Sequence, residues 1–181
     1  MIILITGASH TGKTLLAQRL LEKYKYPYCS IDHVKMGLIR AGFIDADPCD
    51  PDEVITAAVW PVIREMIKTA VDNEQNLIVE GCYVPADWKR EFAPEYLKKI
   101  RLLCLVMTET YIRTHFNDIM SKACVIERRI ADDDFDLQTA LADNEKYFSL
   151  FNEEKDGLLL IENDYETDMN QFLNQFERER M

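Results

Sequence analysis

Residues 7–14 read GASHTGKT and form a complete GxxxxGK(S/T) pattern. An apolar run at residues 2–5 precedes this pattern, and a segment of helical period follows it from Lys13 to Tyr24. A strand, a glycine-containing turn and a helix in this order form the context in which the pattern cradles phosphates. The sequence therefore predicts a triphosphate-binding loop between the first strand and the first helix. The alternative is a glycine-containing turn that binds nothing.

The chemistry of this loop assigns roles to its residues. Glycines let the backbone fold into a nest of N–H groups, and the helix start adds positive partial charge. We expect Lys13 to reach the β- and γ-phosphates, Thr14 to bind Mg²⁺ through its hydroxyl, and Gly12 to leave room for phosphate because it lacks a Cβ. ATP and Mg²⁺ are therefore the predicted cofactors. The predicted nucleotide-binding residues are Gly7, Ser9, His10, Thr11, Gly12, Lys13 and Thr14.

The rest of the chain predicts an α/β fold. Short apolar runs alternate with longer segments of helical period, which favours βαβ crossovers and a mostly parallel sheet. The predicted strands are residues 2–6, 28–31, 77–80, 100–107 and 158–161. Helices are predicted at 13–24, at 34–40, from an Asp50 N-cap through a kink at Pro61 to Asp72, and near the end of the chain. We expect one domain over residues 1–181, with a lid insertion at about 121–137.

Composition disfavours several classes of partner and location. The formal net charge of −11 opposes nucleic-acid binding, which needs clustered Lys and Arg. No apolar stretch approaches the roughly 20 residues that span a bilayer, and the N-terminus lacks the pattern of a signal peptide. The cysteines are scattered without zinc-ligand spacing, which is typical of reduced thiols. We therefore expect a cytoplasmic protein, a monomer or homodimer, without a structural metal.

Polar residues follow the predicted strands, at the sheet edge where ligands bind in such folds. Asp32 is the candidate general base for an acceptor hydroxyl, and its alternative role is a helix N-cap. Glu80 ends a buried strand and is a candidate to hold Mg²⁺, directly or through water, or to orient the acceptor. A plain strand-end acid is the alternative for Glu80.

The remaining candidates are basic or aromatic. Arg128 and Arg129 fall in the predicted lid and are candidates to neutralise charge on the transferring phosphoryl group. For each of them taken alone, the alternative is a solvated surface arginine. His33, Arg40 and Tyr83 are candidate acceptor-binding residues. For Arg40 the alternative is an exposed helix arginine, and for Tyr83 it is simple packing.

Together these features resemble the adenylate-kinase-like group of small P-loop kinases. That group includes nucleotide, shikimate and gluconate kinases, and phosphotransferases that act on antibiotics or toxin targets. The resemblance implies a three-layer fold with helices on both faces of a five-stranded parallel sheet of order 2-3-1-4-5, and a short helical lid. It also implies that Asp32 is the acceptor-site acid and Arg128 or Arg129 the lid arginine. The supporting segments are GASHTGKT at 7–14, SID at 30–32, LIR at 38–40, VEG at 79–81, and RR at 128–129 before DDD at 132–134.

Two departures from that group bear on the acceptor. Adenylate kinases carry an arginine after the third strand, whereas residues 81–85 here read GCYVP, and the lid is short and lacks zinc ligands. These departures weaken a nucleoside monophosphate as acceptor and favour a hydroxyl of a sugar, acid or antibiotic at least equally. The sequence thus predicts an ATP-dependent small-molecule kinase. The alternatives are a non-catalytic ATP-binding regulatory module, or a nucleoside or nucleotide kinase or toxin-like phosphotransferase of the same fold.

Overall fold

The structure is a computed structural model that describes residues 1–122, 135–153 and 157–178. Within these ranges, five strands form one parallel sheet in the order β2-β3-β1-β4-β5. This order confirms the prediction, and every strand lies within one residue of its expected bounds. The strands are β1 Ile2–Gly7, β2 Tyr28–Ser30, β3 Leu77–Glu80, β4 Ile100–Met107 and β5 Leu158–Ile161.

Helices cover both faces of the sheet, as predicted. The last helix buries its apolar residues Met169, Leu173 and Phe176. In the described ranges the helices are α1 Lys13–Tyr24, α2 Ile31–Arg40, α3 Asp52–Asp72, α4 Pro94–Leu97, α5 Glu109–Ser121, α6 Leu137–Phe151 and α7 Tyr165–Arg178, with a 3₁₀ turn at Trp88–Glu91.

Two compact units make up the chain: Met1–Thr6 with Lys13–Leu103, and Gly7–Gly12 with the chain from Cys104 onward. In the first unit, β3 pairs with both β1 and β2. Ile5 lies opposite Glu80, and Glu80 lies opposite Ser30. The register therefore brings the carboxyl ends of three strands into one row.

In the second unit, β5 pairs with β4 in parallel, with Met107 opposite Ile161. The buried Asn144 of α6 ties this helix to the end of β4. Its Oδ1 accepts from the Met107 amide at 2.7 Å, and its Nδ2 donates to the Ala140 carbonyl at 2.8 Å. Both polar ends of the amide are satisfied, so the position of α6 on β4 is fixed.

Two predicted helix starts are wrong. Helix α3 begins at Asp52 after an N-cap at Pro51, and the Asp50 carboxylate instead accepts from the Asp47 amide at 2.8 Å. The helix then continues through Pro61 as one element. Helix α2 begins at Ile31, three residues before the predicted start, because β2 ends at Ser30. Among the described helices, none has the length and apolar character that crossing a membrane requires.

Candidate functional site

The phosphate loop, residues 7–14, has a backbone that depends on glycine. Gly7, His10 and Gly12 have φ angles of 135°, 61° and 89°, a region that side chains with a Cβ rarely adopt. A Cβ on Gly7 would overlap the Leu105 carbonyl oxygen, and one on Gly12 would overlap the Tyr165 hydroxyl. The Tyr165 hydroxyl of α7 and the positive φ both favour glycine at position 12, and the expected clearance for phosphate stays a prediction.

Hydrogen bonds from β4 and α7 hold this loop. The Ala8 amide donates to the Leu105 carbonyl at 3.1 Å, and the Thr11 hydroxyl donates to the Ala8 carbonyl at 2.7 Å. The Tyr165 hydroxyl donates to the Thr11 carbonyl at 3.2 Å. These bonds restrain the loop at Ala8 and at Thr11.

The chain that includes α6 makes two further contacts with the loop. The Ser9 amide donates to Asp143 Oδ2 at 2.6 Å, a charge-assisted hydrogen bond. The His10 ring packs on Phe135, with ring centroids 4.2 Å apart. Sequence reasoning missed Asp143, Phe135 and Tyr165, because no local pattern marks residues that reach the loop from so far along the chain.

The loop leads directly into α1, which begins at Lys13. Lys13 is buried, with 6% of its surface exposed, and Thr14 is half-buried. The first turn of α1 itself contains no Asp or Glu, so α1 supplies no carboxylate of its own to offset the positive end of its dipole. A glycine-dependent loop before such a helix start fits the phosphates of a nucleotide. Among the described residues, no group of three or more His, Cys, Asp or Glu side chains could hold a metal ion.

The first unit contributes a second group of residues, at the ends of β2 and β3. Glu80 is buried, with 3% exposure. Burial raises the pKa of the Cys29 thiol, and the charge of Glu80 raises it further, so the two side chains influence each other electrostatically. A Cβ on Gly81 would lie 2.8 Å from the Cβ of Ile31, which shows how closely the end of β3 approaches the start of α2.

Asp32 lies in the first turn of α2 and is not its N-cap. The N-cap is Ser30, which makes no side-chain capping bond, so the capping alternative for Asp32 is wrong. The Asp32 carboxylate instead forms an ion pair with Lys35, with Oδ1 3.1 Å from Nζ. The Asp32 side chain remains 47% exposed and is accessible to a ligand.

Lys35 connects Asp32 to Tyr83. The Lys35 ammonium is buried and donates to the Tyr83 hydroxyl at 2.9 Å, and Nζ lies 4.9 Å from the Tyr83 ring centroid. Burial alone lowers the pKa of Lys35, but the hydrogen bond to Tyr83 and the charge of Asp32 outweigh it, so this pKa is raised. Burial also raises the pKa of Tyr83. These shifts favour an ammonium at Lys35 and a neutral phenol at Tyr83, next to the carboxyl group of Asp32. Sequence reasoning missed Lys35, although its spacing of three residues from Asp32 on a helix was a usable signal.

The remaining predicted site residues outside the loop are His33, Arg40, Arg128 and Arg129. His33 and Arg40 are exposed on α2. Arg128 and Arg129 lie outside the described residues. Tyr83 is the predicted acceptor-site residue that the structure brings to Asp32, through Lys35.

Comparisons with known proteins show the fold. No protein-family model matches the sequence, and no curated protein matches it. A gluconokinase from Sinorhizobium meliloti 1021 is similar at a TM-score of 0.58 and 11% identity, over 97% of this chain and 91% of that one. Shikimate kinase from Aquifex aeolicus vf5 is similar at a TM-score of 0.55 and 13% identity, over 99% of this chain and 98% of that one. Deoxyadenosine kinase from M. mycoides is similar at a TM-score of 0.53 and 12% identity, over 98% of this chain and 99% of that one. The chain therefore has the fold of the small P-loop kinases.

Proposed function

We propose that the protein transfers the γ-phosphoryl group of Mg-ATP to a hydroxyl of a small molecule. The phosphate loop supports ATP as the donor. The observation that carries the transfer itself is the half-exposed Asp32 carboxylate, anchored by Lys35 at the strand ends where ligands bind in open parallel sheets.

The nucleotide would bind through this chain's own loop amides, the start of α1 and the Lys13 ammonium. Thr14 would supply a hydroxyl to Mg²⁺, which neutralises charge on the phosphate oxygens when it is bound. Buried Glu80 is the second acid of the proposal and would orient Mg²⁺-bound water or the acceptor. Arg128 or Arg129 would neutralise charge on the transferring group.

In the proposed reaction, the acceptor oxygen forms a bond to the γ-phosphorus while the bond from that phosphorus to the β–γ bridging oxygen breaks. ADP leaves with the electron pair of the broken bond. The hydroxyl proton passes to the Asp32 carboxylate, which acts as the general base. The reaction therefore needs Asp32 ionised and within hydrogen-bond reach of the acceptor.

A hydroxyl acceptor agrees with the names of the similar structures. A gluconokinase, a shikimate kinase and a deoxyadenosine kinase are among them, and these names point to small hydroxylated molecules. The identities of 11–13% do not select one of these acceptors for this chain. A cytoplasmic location and a monomeric or homodimeric state stay predictions.

The experiment is a screen for acceptor-dependent ADP release. The purified protein is incubated with Mg-ATP and nucleosides, nucleotides, sugars, hydroxy acids and aminoglycosides. We expect release with at least one acceptor, and we expect Asp32→Asn to lose it while ATP affinity is retained. Tight ATP binding without release would support the non-catalytic module instead. Unchanged turnover in Asp32→Asn would remove the base assignment.

A further inference from the structure

We propose that Lys35 and Tyr83 are positioning residues that hold Asp32 for the acceptor hydroxyl. In this arrangement one Asp32 oxygen accepts from the Lys35 ammonium, and the other remains for the acceptor. The inference rests on the proposed function, since it assigns these residues to the same transfer reaction. Neither residue is assigned contact with the reacting atoms.

The placement of the Lys35 ammonium supports this role. Lys35 is 8% exposed, and a buried ammonium is costly unless acceptors surround it. Its acceptors come from separate parts of the first unit: Asp32 from the first turn of α2, and Tyr83 from the chain after β3. The Tyr83 ring also lies beside Nζ, with its centroid 4.9 Å away. The ammonium is thus held from both sides, so it fixes the carboxylate that it binds.

The Asp32 carboxylate is held at one oxygen and remains partly exposed. Oδ1 pairs with Nζ at 3.1 Å, and nearly half of the side chain is exposed. Within the described part of the chain, Lys35 is the charged partner of this carboxylate. A carboxylate held by one oxygen has lost most of its rotational freedom before the acceptor arrives, and such preorganisation is what a general base needs.

The charge of the cluster also bears on the acceptor. Because Asp32 already balances Lys35, the ammonium has no uncompensated charge for an anionic acceptor group. Tyr83, which follows Gly81, is a neutral phenol. We therefore infer that the reacting end of the acceptor is a neutral hydroxyl rather than a phosphate.

The test compares four variants with the native protein: Lys35→Met, Lys35→Arg, Tyr83→Phe and the control Lys68→Met. Lys68 pairs with Glu65 of α3 at 2.9 Å and at the same helical spacing, but it has no place in the site. ATP turnover is measured with water as the acceptor and again with an acceptor from the screen, alongside the Kd for Mg-ATP. Folding of each variant is checked by urea denaturation.

We expect Lys35→Met to lower kcat about 10- to 100-fold, because a base displaced by about 1 Å loses up to that factor. The Kd for Mg-ATP should stay within about twofold of the native value, which separates a positioning role from general damage. Lys35→Arg should retain more activity than Lys35→Met, because it keeps the charge. Tyr83→Phe should lose less than Lys35→Met, and Lys68→Met should match the native protein.

Each result decides something definite. If Lys35→Met turns over ATP as fast as Lys68→Met does while Asp32→Asn is inactive, the positioning role is overturned and the base assignment stands. If Lys35→Met does not fold, native turnover in both Lys35→Arg and Tyr83→Phe overturns the proposal. If the native protein turns over no ATP, the proposed function fails and this inference fails with it. If the native protein is active and Asp32→Asn is fully active too, the kinase proposal stands, but the base assignment and this inference fail together.

Discussion

Replacing Gly12 with alanine perturbs the phosphate loop at one atom. The added Cβ would overlap the Tyr165 hydroxyl, and the φ of 89° is strained for any residue with a Cβ. A residue held in such a region costs about 1–3 kcal/mol. Displacing the Tyr165 hydroxyl also breaks its bond to the Thr11 carbonyl, which is worth about 0.5–1.5 kcal/mol. We expect Gly12→Ala to lower the free energy of unfolding by about 2–4 kcal/mol.

The assay is urea denaturation of Gly12→Ala, Tyr165→Phe and the double variant. Tyr165→Phe removes the hydroxyl that the new Cβ would meet, so the double variant should lose less stability than the sum of the two single changes. The control is Gly37→Ala, because Gly37 lies within α2 and a Cβ there would meet nothing within 4 Å. This control should gain about 0.5–1 kcal/mol, as alanine does in helices.

Affinity for Mg-ATP gives the functional readout of the same change. If residues 7–14 bind phosphate, Gly12→Ala should weaken Mg-ATP binding at least about tenfold, which corresponds to 1.4 kcal/mol. Gly37→Ala should bind ATP normally. Native stability and native ATP affinity in Gly12→Ala would refute the packing of Tyr165 against the loop.

Three further predictions concern contacts that lie within one unit or the other. Asp143→Ala should lower the free energy of unfolding by about 1–3 kcal/mol, because it removes the charged acceptor of the Ser9 amide; an unaffected urea midpoint would count against that contact. Asn144→Ala should cost about 1–3 kcal/mol by leaving the buried Met107 amide unsatisfied, and faster hydrogen exchange at that amide is the specific sign to measure. The raised pKa of Cys29 should keep its thiolate scarce near pH 8, so alkylation followed by mass spectrometry should be slow and should accelerate as pH rises toward that pKa. Glu80→Gln removes one cause of the raised pKa and should speed this alkylation, and an equal rate in both proteins would contradict the influence of Glu80.

The strands of the sheet could be predicted from the sequence because the patterns that mark them are local. The GASHTGKT motif and the apolar runs of β1, β3 and β4 need only neighbouring residues to be recognised. Strands buried on both faces carry nearly continuous apolar sequence, and β1 is buried along its whole length. The order of the strands came from resemblance, since no local pattern encodes it.

The contacts within the candidate site could not be predicted in the same way, because they join residues that are far apart in the chain. Asp143 and Tyr165 reach the phosphate loop across 134 and 154 residues of chain, respectively. Whether Asp32 caps α2 depended on the residue at which the helix starts. Because β2 ends at Ser30, Ser30 is the N-cap, and the Asp32 carboxylate pairs with Lys35. Helix periodicity could suggest the Asp32–Lys35 pair, but it could not show that the Lys35 ammonium would also donate to Tyr83.

The central claim is that residues 7–14 bind ATP for phosphoryl transfer. Isothermal titration of Mg-ATP into the native protein and into Lys13→Ala tests it most directly. The account predicts saturable binding by the native protein and a loss of affinity of at least about tenfold in the variant, because the ammonium that meets the β- and γ-phosphates is gone. No binding by the native protein, or equal binding by Lys13→Ala, would contradict the claim.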